Sequence, residues 1–422
     1  MGKINNIIPI FYVRGYNPPY TEGHIAVVRA SVKALLLKKI RSVVFNYKYN
    51  IGLQNIECDP KNDQAAGEVK FEQYIPLIDR EDIFHQSIKS KIVYASLMET
   101  LATPRFLSIE RYMSRRGRCI VNLINCFRYP RILTKRFSDL PVVLHVYTRK
   151  TIMKNTIKML IDRADLVVTS SKSLACHLEK NYDIDKMKIQ TIYPPVDTEL
   201  YKPNDKNQSR RRLDIKRTVK LLLYVGNLRK HRFPEDVILR LMKKLVKKDP
   251  RIKLLIFSPK NHENMKRRIE ILAKASAFNL RQNIRINVRN LSEIEKSIVY
   301  SASDIFLFPP LISGEAVEPP IAVLEAMSCG LPVVSSDVTS ITEVITDGVD
   351  GLIIPFGTAD PAILEEQITS LLEDNHLRME FSHDARRNVI EKLSLHNSCK
   401  RFMGIFRSLS NSNPCHCHEG DR

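Results

Sequence analysis

Residues 304–336 read DIFLFPPLISGEAVEPPIAVLEAMSCGLPVVSS, and this stretch decides the fold because strand, loop, helix and strand follow without spare residues. The apolar run Ile305–Phe308 predicts a short buried strand. A helix is predicted to begin at Pro319-Pro320 and to end at Gly330, before Pro332. Its apolar positions recur at helical spacing: Ile321, Leu324 and Met327. This alternation is typical of a parallel α/β sheet.

The loop from Pro309 to Glu318 lies where such sheets collect ligands. In open α/β sheets, ligands bind at the carboxyl ends of strands and at helix N-termini, where free N–H groups favour phosphate. Pro320 and Ile321 stand at the predicted helix start. We therefore predict a binding site that includes the loop and these two residues.

The bulk composition indicates a globular protein of two domains. The chain has 422 residues, too many for one ordinary domain. Its 44% hydrophobic and 27% charged residues exclude wholesale disorder. No apolar run reaches the roughly 18 residues of a membrane helix, and the first residues lack the apolar core of a signal peptide. We expect a cytoplasmic protein without its own membrane anchor.

The eight cysteines show no disulfide-framework spacing, so we expect reduced thiols. The run Cys415-His416-Cys417-His418 offers four metal-ligand types. Adjacent residues rarely complete a tetrahedron, and no second ligand pair lies near them in sequence. A disordered tail over 411–422 is therefore favoured over a metal site.

The net charge of +20 is concentrated in the first half. Residues 1–220 hold 39 Lys and Arg against 21 Asp and Glu, and residues 101–160 hold 13 against two. A solvated helix face, nucleic acid, anionic lipid and a phosphorylated acceptor are all compatible with such a patch. The aromatic spacing does not match a single-strand stacking module, which disfavours nucleic acid. Apolar and basic blocks in residues 119–137 suit a surface that touches lipid without spanning it.

Strands and helices alternate through both halves, which predicts two Rossmann-like domains with mostly parallel sheets. The polar stretch 205–219 is predicted to link them. The domains are then 1–204 and 220–390, followed by a helix over 391–410 that packs across both.

The first turn of the second domain, YVGNLRKHRFP from Tyr224 to Pro234, has features of a phosphate site. Gly226 directly after a buried strand lets the backbone approach a ligand. Three cations follow that can neutralise a diphosphate: Arg229, Lys230 and Arg232. An ordinary strand-to-helix turn with solvated charges is the alternative. The acidic loop is expected across the same sheet edge, where its carboxylates can bind sugar hydroxyls while the cations hold phosphates, and this favours the binding role.

Residues 318–355, EPPIAVLEAMSCGLPVVSSDVTSITEVITDGVDGLIIP, resemble the nucleotide-binding domain of retaining glycosyltransferases of family four. The first turn, the crossing IYPPVDTELYKP and the run ADLVVTSSKSL are also similar to that family. The resemblance implies a GT-B architecture, in which two Rossmann-like domains face each other across a central cleft. It extends from about residue 144 to 405, and the first 140 residues share only the layout.

The resemblance assigns roles to the acidic residues of the loop and helix. Glu325 matches the second glutamate of the family's pair, which binds the donor ribose. The first glutamate falls on Val317. Either Glu318, one residue later, or Glu315, two residues earlier, takes its place, or the contact with the donor sugar is lost. Glu318 is favoured, because a shortened loop can still direct its carboxylate at the cleft.

In the first turn, the family's arginine and lysine fall on Asn227 and Arg232. Arg229 or Lys230 is expected to substitute at the first position, and Arg232 to stabilise the charge on the leaving diphosphate. No cofactor or divalent metal is then required. The pair Asp183 and Asp185 is interpreted as a surface turn, because no strand directly precedes it.

Two first-domain residues also resemble family positions. His145, after a buried strand, resembles the histidine that faces the donor sugar, with a satisfied core histidine as the alternative. Gly23 resembles the glycine loop near the donor phosphates, although the family usually has a glycine pair. The resemblance thus implies catalytic roles for His145, Glu318 and Arg232, and donor contacts from Gly23, the first turn, the acidic loop and Glu325.

These observations predict a retaining transferase that moves a sugar from a nucleotide-sugar donor to an acceptor hydroxyl. The basic first half favours a lipid-linked or membrane-surface glycan as acceptor, at the cytoplasmic face. Because Val317 and Asn227 depart from the family pattern, a GT-B nucleotide-sugar-binding protein without catalysis is the alternative. A nucleic-acid-binding protein is the weaker alternative.

Overall fold

The computed structural model describes residues 7–14, 23–38, 40, 42–47, 71–73, 118–124, 140–149, 154–312, 317–338, 340–354 and 361–412. Glu315, the Cys/His tail and most of the basic block lie outside the described residues. Among those described, no helix combines the length and apolar character that crossing a membrane requires.

The first domain is built on a seven-stranded sheet in the order β3-β2-β1-β4-β5-β6-β7, and its neighbouring strands are parallel. The strands are β1 (Ile7–Arg14), β2 (Val43–Tyr47), β3 (Phe71–Gln73), β4 (Arg118–Ile124), β5 (Val142–Val146), β6 (Leu166–Thr169) and β7 (Ile189–Thr191). Its helices are α1 (Gly23–Leu36), α2 (Lys154–Arg163) and α3 (Lys172–Tyr182). This order, with crossovers between parallel strands, is that of a Rossmann-like domain.

The start of the stretch 119–137 differs from its sequence interpretation as a lipid-facing surface. Residues 119–124 form most of β4, which pairs with β1 on one side and β5 on the other. Val121 to Ile124 are buried. A central parallel strand is covered on both faces and therefore reads as a continuous apolar run. The apolar residues 121–124 are therefore part of the core and do not support membrane contact.

The second domain has a six-stranded parallel sheet in the order β10-β9-β8-β11-β12-β13. Its strands are β8 (Lys220–Val225), β9 (Ile252–Ser258), β10 (Ile284–Val288), β11 (Ile305–Phe308), β12 (Val333–Ser335) and β13 (Gly351–Ile353). Its helices are α4 (Lys206–Arg212), α5 (Glu235–Lys248), α6 (His262–Ala277), α7 (Glu293–Ala302), α8 (Ile321–Ser328), α9 (Pro361–Glu373) and α10 (Asn375–Leu393). The predicted strand-loop-helix-strand unit is present as β11, α8 and β12.

Helix α8 ends as its sequence predicts. Cys329 is its C-cap, and Gly330 has φ of +67°, a left-handed conformation that favours glycine. Pro332 follows and its carbonyl accepts from the Phe306 N–H at 2.8 Å, which brings the chain back onto the sheet.

The segment 205–219, predicted as the linker, contains α4 and is packed on the second domain. Arg210 of α4 is buried, and its guanidinium donates to the Ala302 carbonyl at 2.9 Å and to the Asp304 carboxylate at 2.8 Å. A charged side chain that is buried and paired fixes the segment in place. The crossing between the two sheets is therefore residues 192–204.

The last helix, α11 (Leu395–Ser412), returns to the first domain. Its side chains Phe402 and Phe406 lie in one apolar cluster with Phe11 of β1 and Val28 of α1. The chain enters this helix beside the crossing, where Val196 N–H donates to the Leu393 carbonyl at 2.8 Å. Packing of the C-terminal helix across both domains stays a prediction.

Candidate functional site

Buried polar atoms without a partner collect at the carboxyl edge of the second sheet. Ser258 ends β9, Asn287 lies one residue before the end of β10, and Ser336 directly follows β12. Among the described residues, the buried atoms there without a hydrogen-bond partner include Arg232 Nε, Ser258 Oγ, Asn287 Nδ2, Glu318 Oε1 and Ser336 Oγ. Buried polar groups are nearly always paired in folded proteins. Their common position therefore identifies this edge as the place for a polar ligand.

The first turn approaches this edge closely because residue 226 is glycine. Gly226 N–H donates to the Phe257 carbonyl at 3.0 Å. A Cβ at this position would lie 2.7 Å from Tyr224 Oη, which itself donates to the Asn227 carbonyl at 2.7 Å. The tyrosine is held and has little freedom to yield, so a larger residue would displace the turn. Gly226 thus fulfils a steric requirement of the sequence-predicted phosphate turn.

Helix α6 fixes the same turn through two buried side chains that the sequence did not reveal. Leu228 N–H donates to Asn264 Oδ1 at 3.0 Å, and the Leu228 carbonyl accepts from Arg267 Nε at 3.0 Å. Arg267 is also paired with the Glu235 carboxylate at the start of α5 at 2.5 Å. Both backbone groups of one turn residue are therefore held by a neighbouring helix. No periodicity in the sequence indicates that contact.

The cations of the turn have different environments. The Arg232 guanidinium lies 5.6 Å from the Phe308 ring at the end of β11. It is also close to Tyr224, whose pKa burial raises to about 12 while Arg232 opposes the rise. Arg229 is paired with Glu263 at 3.1 Å, and Lys230 is exposed. Arg232 is the cation of this turn that lies over the sheet edge.

Asn227, which stands at the family's arginine position, has a local role. Its Oδ1 accepts from the Arg229 N–H at 3.1 Å, and its carbonyl accepts from the Tyr224 hydroxyl. The turn is joined to the loop after β11 by a bond from Leu311 N–H to the His231 carbonyl at 2.8 Å. The first turn and the acidic loop thus meet at the same edge, as the sequence predicts.

Glu318 is buried where the two domains meet. It is 3% exposed, and its Oε2 accepts from Arg149 Nε of the first domain at 3.1 Å. Its N–H donates to the Tyr147 carbonyl at 3.0 Å. Burial raises the pKa of this carboxyl, and the Arg149 charge opposes that rise. Its other oxygen is the unpartnered Oε1 described above.

Val317, at the position of the family's first glutamate, is part of the first domain's apolar cluster. It is buried there together with Tyr147 and Phe402, and Ile321 packs against the same cluster. A carboxylate at position 317 would lie among these apolar groups. The loop therefore presents Glu318, and Glu315 lies outside the described residues.

Glu325 is buried on α8 with both of its oxygens engaged. Oε1 accepts from Lys296 Nζ at 2.5 Å, and Oε2 accepts from the Tyr300 hydroxyl at 2.8 Å. Burial, followed by the Glu325 charge, raises the pKa of Tyr300 well above its usual value. Each carboxylate oxygen retains a further acceptor position. Its partners on α7 were not identified from the sequence.

His145 lies in the core of the first domain. It is 1% exposed, its Nε2 lies 3.0 Å from Asn122 Oδ1, and its Nδ1 lies 3.2 Å from the Tyr147 hydroxyl. Burial lowers its pKa to about 3, so the ring is neutral. Both nitrogens have protein partners, which is the arrangement of the core-histidine alternative. Its catalytic role stays a prediction.

The remaining predicted positions lie at helix starts. Gly23 is the first residue of α1, Pro320 is the N-cap of α8, and Ile321 is the first residue of α8. The α8 N-cap has no side-chain hydrogen bond. Val323 N–H donates to the Pro320 carbonyl at 3.0 Å, so among the described residues the N–H groups of Ile321 and Ala322 are those that could meet an anion at the sheet edge.

A carboxylate of the second domain caps a helix of the first. Glu343 accepts from Lys172 N–H at 2.7 Å, Ser173 N–H at 2.8 Å, Ser173 Oγ at 2.6 Å and the Tyr193 hydroxyl at 2.8 Å. Lys172 and Ser173 begin α3, where an anion is stabilised by the helix dipole. Burial alone would raise the pKa of Glu343, but these hydrogen bonds outweigh it and lower the pKa. Glu343 lies in the family-like run 318–355, yet nothing in the sequence indicated its partners.

Acidic pairs elsewhere in the described chain have structural roles. Asp183 is the C-cap of α3 with φ of 52°, and Asp185 caps the following 3₁₀ turn by accepting from Met187 N–H at 2.9 Å. Both are exposed, as expected for a surface turn. Within the described ranges, no group of three His, Cys, Asp or Glu side chains is close enough to hold a metal ion.

Comparison with known proteins finds a family match over the second half of the chain. Residues 205–388 match the family described as Glycosyl transferases group 1. D-inositol 3-phosphate glycosyltransferase of Corynebacterium efficiens is 26% identical over 242 residues, which cover 54% of this chain and 53% of that protein. The chain thus spans about half the length of the curated relatives it matches.

Solved structures resemble the whole fold. Sucrose-phosphate synthase from Thermosynechococcus elongatus has a TM-score of 0.72 at 16% identity and covers 96% of this chain and 99% of its own. HepE of Anabaena in complex with UDP and glucose has a TM-score of 0.70 at 12% identity, covering 95% and 99%. These likenesses confirm the predicted fold of two facing Rossmann-like domains, the GT-B architecture.

Proposed function

We propose that this chain, which carries a Glycosyl transferases group 1 domain on a GT-B fold, is a retaining transferase that uses a nucleotide-sugar donor. The sugar passes to an acceptor hydroxyl, and the acceptor is a lipid-linked or membrane-surface glycan. The second domain holds the donor, and the basic first domain holds the acceptor.

The observation that carries this proposal is the set of unpartnered polar atoms at the carboxyl edge of the second sheet. A nucleotide sugar offers hydroxyls, a diphosphate and a base, which together can pair with the hydroxyl, amide, guanidinium and carboxylate groups there. The edge is bordered by the glycine turn at Gly226 and by the uncapped start of α8. Each of these is a backbone feature that accommodates phosphate.

Arg232 supplies the positive charge that such a transfer needs. When the sugar departs, negative charge develops on the nucleoside diphosphate, and a fixed cation lowers the barrier by stabilising it. The Phe308 ring and Tyr224 both lie close to the guanidinium. We propose that this arginine neutralises the leaving group without a divalent metal.

Two carboxylates fit the donor's hydroxyls. Glu325 has acceptor capacity beyond its bonds to Lys296 and Tyr300, and these partners fix its orientation toward a ribose. Oε1 of Glu318 has no partner among the residues that the structure describes, which suits a hydroxyl of the transferred sugar. Retention then follows from attack by the acceptor on the face from which the diphosphate leaves, with the donor phosphate assisting the acceptor hydroxyl.

The acceptor proposal rests on charge. Residues 1–220 carry a large excess of Lys and Arg, which suits an anionic membrane surface or a phosphorylated acceptor at the cytoplasmic face. The relative from Corynebacterium efficiens is named for an inositol phosphate, which is a phosphorylated acceptor class. Liposome flotation with neutral and anionic vesicles tests the membrane part, because equal recovery on both would remove the charge argument.

A catalytically inactive nucleotide-sugar-binding protein is the second candidate. Its support is specific: Asn227 is occupied within its own turn, and Val317 is buried among apolar groups. Both positions therefore lack the ligand groups that the family places there.

The experiment is thermal unfolding of the purified chain with UDP, GDP, ADP and their sugar conjugates, with and without EDTA. HepE binds UDP, which makes UDP and UDP-glucose the first probes. A ligand at about 100 Kd adds ~2.7 kcal/mol of stability. The expected result is stabilisation by one nucleotide that survives EDTA, together with slow hydrolysis of its sugar conjugate to free sugar and nucleoside diphosphate, in which water takes the place of the acceptor. Binding without release would favour the inactive protein, and no stabilisation by any nucleotide would refute the donor site.

A further inference from the structure

The donor-side loop of the second domain is held by the first domain at Glu318. Its N–H donates to the Tyr147 carbonyl at 3.0 Å, and its Oε2 accepts from Arg149 Nε at 3.1 Å. Tyr147 and Arg149 follow β5 directly, so both contacts come from one short segment of the first sheet's carboxyl edge. Val317 beside them is buried in the first domain's cluster.

These contacts can exist only while the two domains are together. Glu318 and Arg149 are 169 residues apart and belong to different sheets. If the domains separate, the loop loses the tyrosine carbonyl, the guanidinium and its apolar anchor at the same time. The surroundings of the Glu318 carboxylate therefore report whether the domains are closed.

The two oxygens of the Glu318 carboxylate differ in their hydrogen bonding. Oε2 is bonded to Arg149, while Oε1 is buried without a partner among the described residues. A guanidinium Nε–H fixes the plane of the carboxylate, which determines where the second oxygen lies. The unmet oxygen is then a preorganised acceptor for a hydroxyl.

We propose that Arg149 is a positioning residue that, on domain closure, orients the Glu318 carboxylate, so that Oε1 accepts a hydroxyl of the donor sugar. This inference rests on the proposed function and adds to it a residue of the first domain. The orientation of the sugar-binding Glu318 carboxylate thus depends on a residue of the first domain, which is the proposed acceptor domain. Closure then completes the site, and the open protein binds the nucleotide without it.

The charges around Glu318 agree with this role. Burial and the nearby Glu343 carboxylate favour the protonated acid, and Arg149 is the cation that opposes them. Removing the arginine therefore leaves a carboxyl that ionises at higher pH. A purely structural ion pair would instead change stability without changing the pH dependence of turnover.

The test compares Arg149→Met, Arg149→Lys, Glu318→Gln and the double variant Arg149→Met/Glu318→Gln. Arg281→Met, at an exposed turn between α6 and β10, is the matched control. Thermal unfolding with UDP and UDP-glucose measures binding. Hydrolysis of UDP-glucose to glucose and UDP, in which water takes the place of the acceptor hydroxyl, measures turnover at pH 5 to 9. If the panel selects another nucleotide, that nucleotide and its sugar conjugate replace these probes.

The expected results separate nucleotide binding from turnover. Arg149→Met should lower kcat by about tenfold to a hundredfold, the range for losing a charge-assisted hydrogen bond, and leave UDP stabilisation within about threefold in Kd. The acid limb of its kcat/KM profile should move to higher pH, and Arg149→Lys should recover part of kcat. The double variant should lose little more than Glu318→Gln alone, because the arginine acts through the glutamate.

Contrary results have distinct meanings. If the losses of the two single variants multiply in the double variant, or if the acid limb stays in place, Arg149 does not act through Glu318 and the inference is overturned. The same holds if Arg149→Met matches Arg281→Met in turnover. If the wild type neither binds a nucleotide nor consumes a nucleotide sugar, the proposed function fails and takes the inference with it.

Discussion

Removing the Glu343 carboxylate should detach the second domain from helix α3. The carboxylate accepts four hydrogen bonds from the first domain and the crossing, at 2.6 to 2.8 Å. A hydrogen bond to a charged group contributes about 1.5–3 kcal/mol, and water can replace part of the set because the side chain is only half-buried. The expected loss for Glu343→Ala is therefore about 2–4 kcal/mol, the worth of one to two such bonds.

The assay is urea unfolding at pH 7, together with hydrogen exchange at the backbone amides of Lys172 and Ser173, which donate to the Glu343 carboxylate. Exchange at these amides should accelerate by about 30- to 700-fold, which is the same free energy expressed as a ratio. Thr342→Ala, an exposed neighbour, is the control and should change neither quantity.

The pH dependence of this effect has a definite sign. The pKa of Glu343 is lowered in the folded protein, so its contribution is present above its ordinary value of 4.5 and is lost as pH falls through the folded pKa. The gap between wild type and Glu343→Ala should therefore narrow in acid. A loss below about 1 kcal/mol at pH 7, with unchanged amide exchange, would refute the role of this contact.

Three further predictions concern the donor site. Glu318→Gln should stabilise the ligand-free protein at pH 7. The pKa of Glu318 is raised in the folded protein, so ionising this carboxyl costs stability as pH rises above 4.5, and glutamine avoids that cost. Urea unfolding at pH 4 and pH 7 checks that the gain appears only at the higher pH. Gly226→Ala should lower the free energy of unfolding by about 1–3 kcal/mol and weaken nucleotide binding, because its Cβ would clash with Tyr224. Adding Tyr224→Phe should recover part of the stability and part of the binding. Equal losses with and without Tyr224→Phe would contradict the steric argument. Glu325→Ala should reduce the free energy of unfolding by about 3 kcal/mol, because it leaves a lysine and a buried tyrosine without their acceptor; an unchanged urea midpoint would count against that pairing.

The sequence predicted the parts of the fold that local patterns encode. The strand Ile305–Phe308 is a continuous apolar run that ends at a proline pair, and the structure has it at those bounds. Helix α8 between Pro320 and Gly330 is equally local, since proline and glycine mark both ends. The grouping of Gly226 and Arg232 with the loop after β11 followed from the rule that parallel strands end at one edge.

Strand pairings and side-chain contacts between residues far apart in the sequence could not be predicted from it. The sequence of residues 119–137 predicts a surface because its apolar run is followed by basic residues, but the pairing of β4 with β1 and β5 makes residues 119–124 central to the sheet. The stretch 205–219 looked like a linker because it is polar, but Arg210 of that stretch is buried against Asp304. In the same way, the partners of Glu318 and Glu343 lie about 170 residues away.

The central claim is that the carboxyl edge of the second sheet binds the diphosphate of a nucleotide sugar, with Arg232 as its cation. Isothermal titration of UDP, or of the nucleoside diphosphate that the panel selects, into wild type, Arg232→Met and Arg240→Met tests it directly. Arg240 lies exposed on α5 and serves as the matched control. The account predicts that Arg232→Met raises Kd by at least about tenfold while Arg240→Met leaves it unchanged. Equal binding by all three proteins would contradict the account.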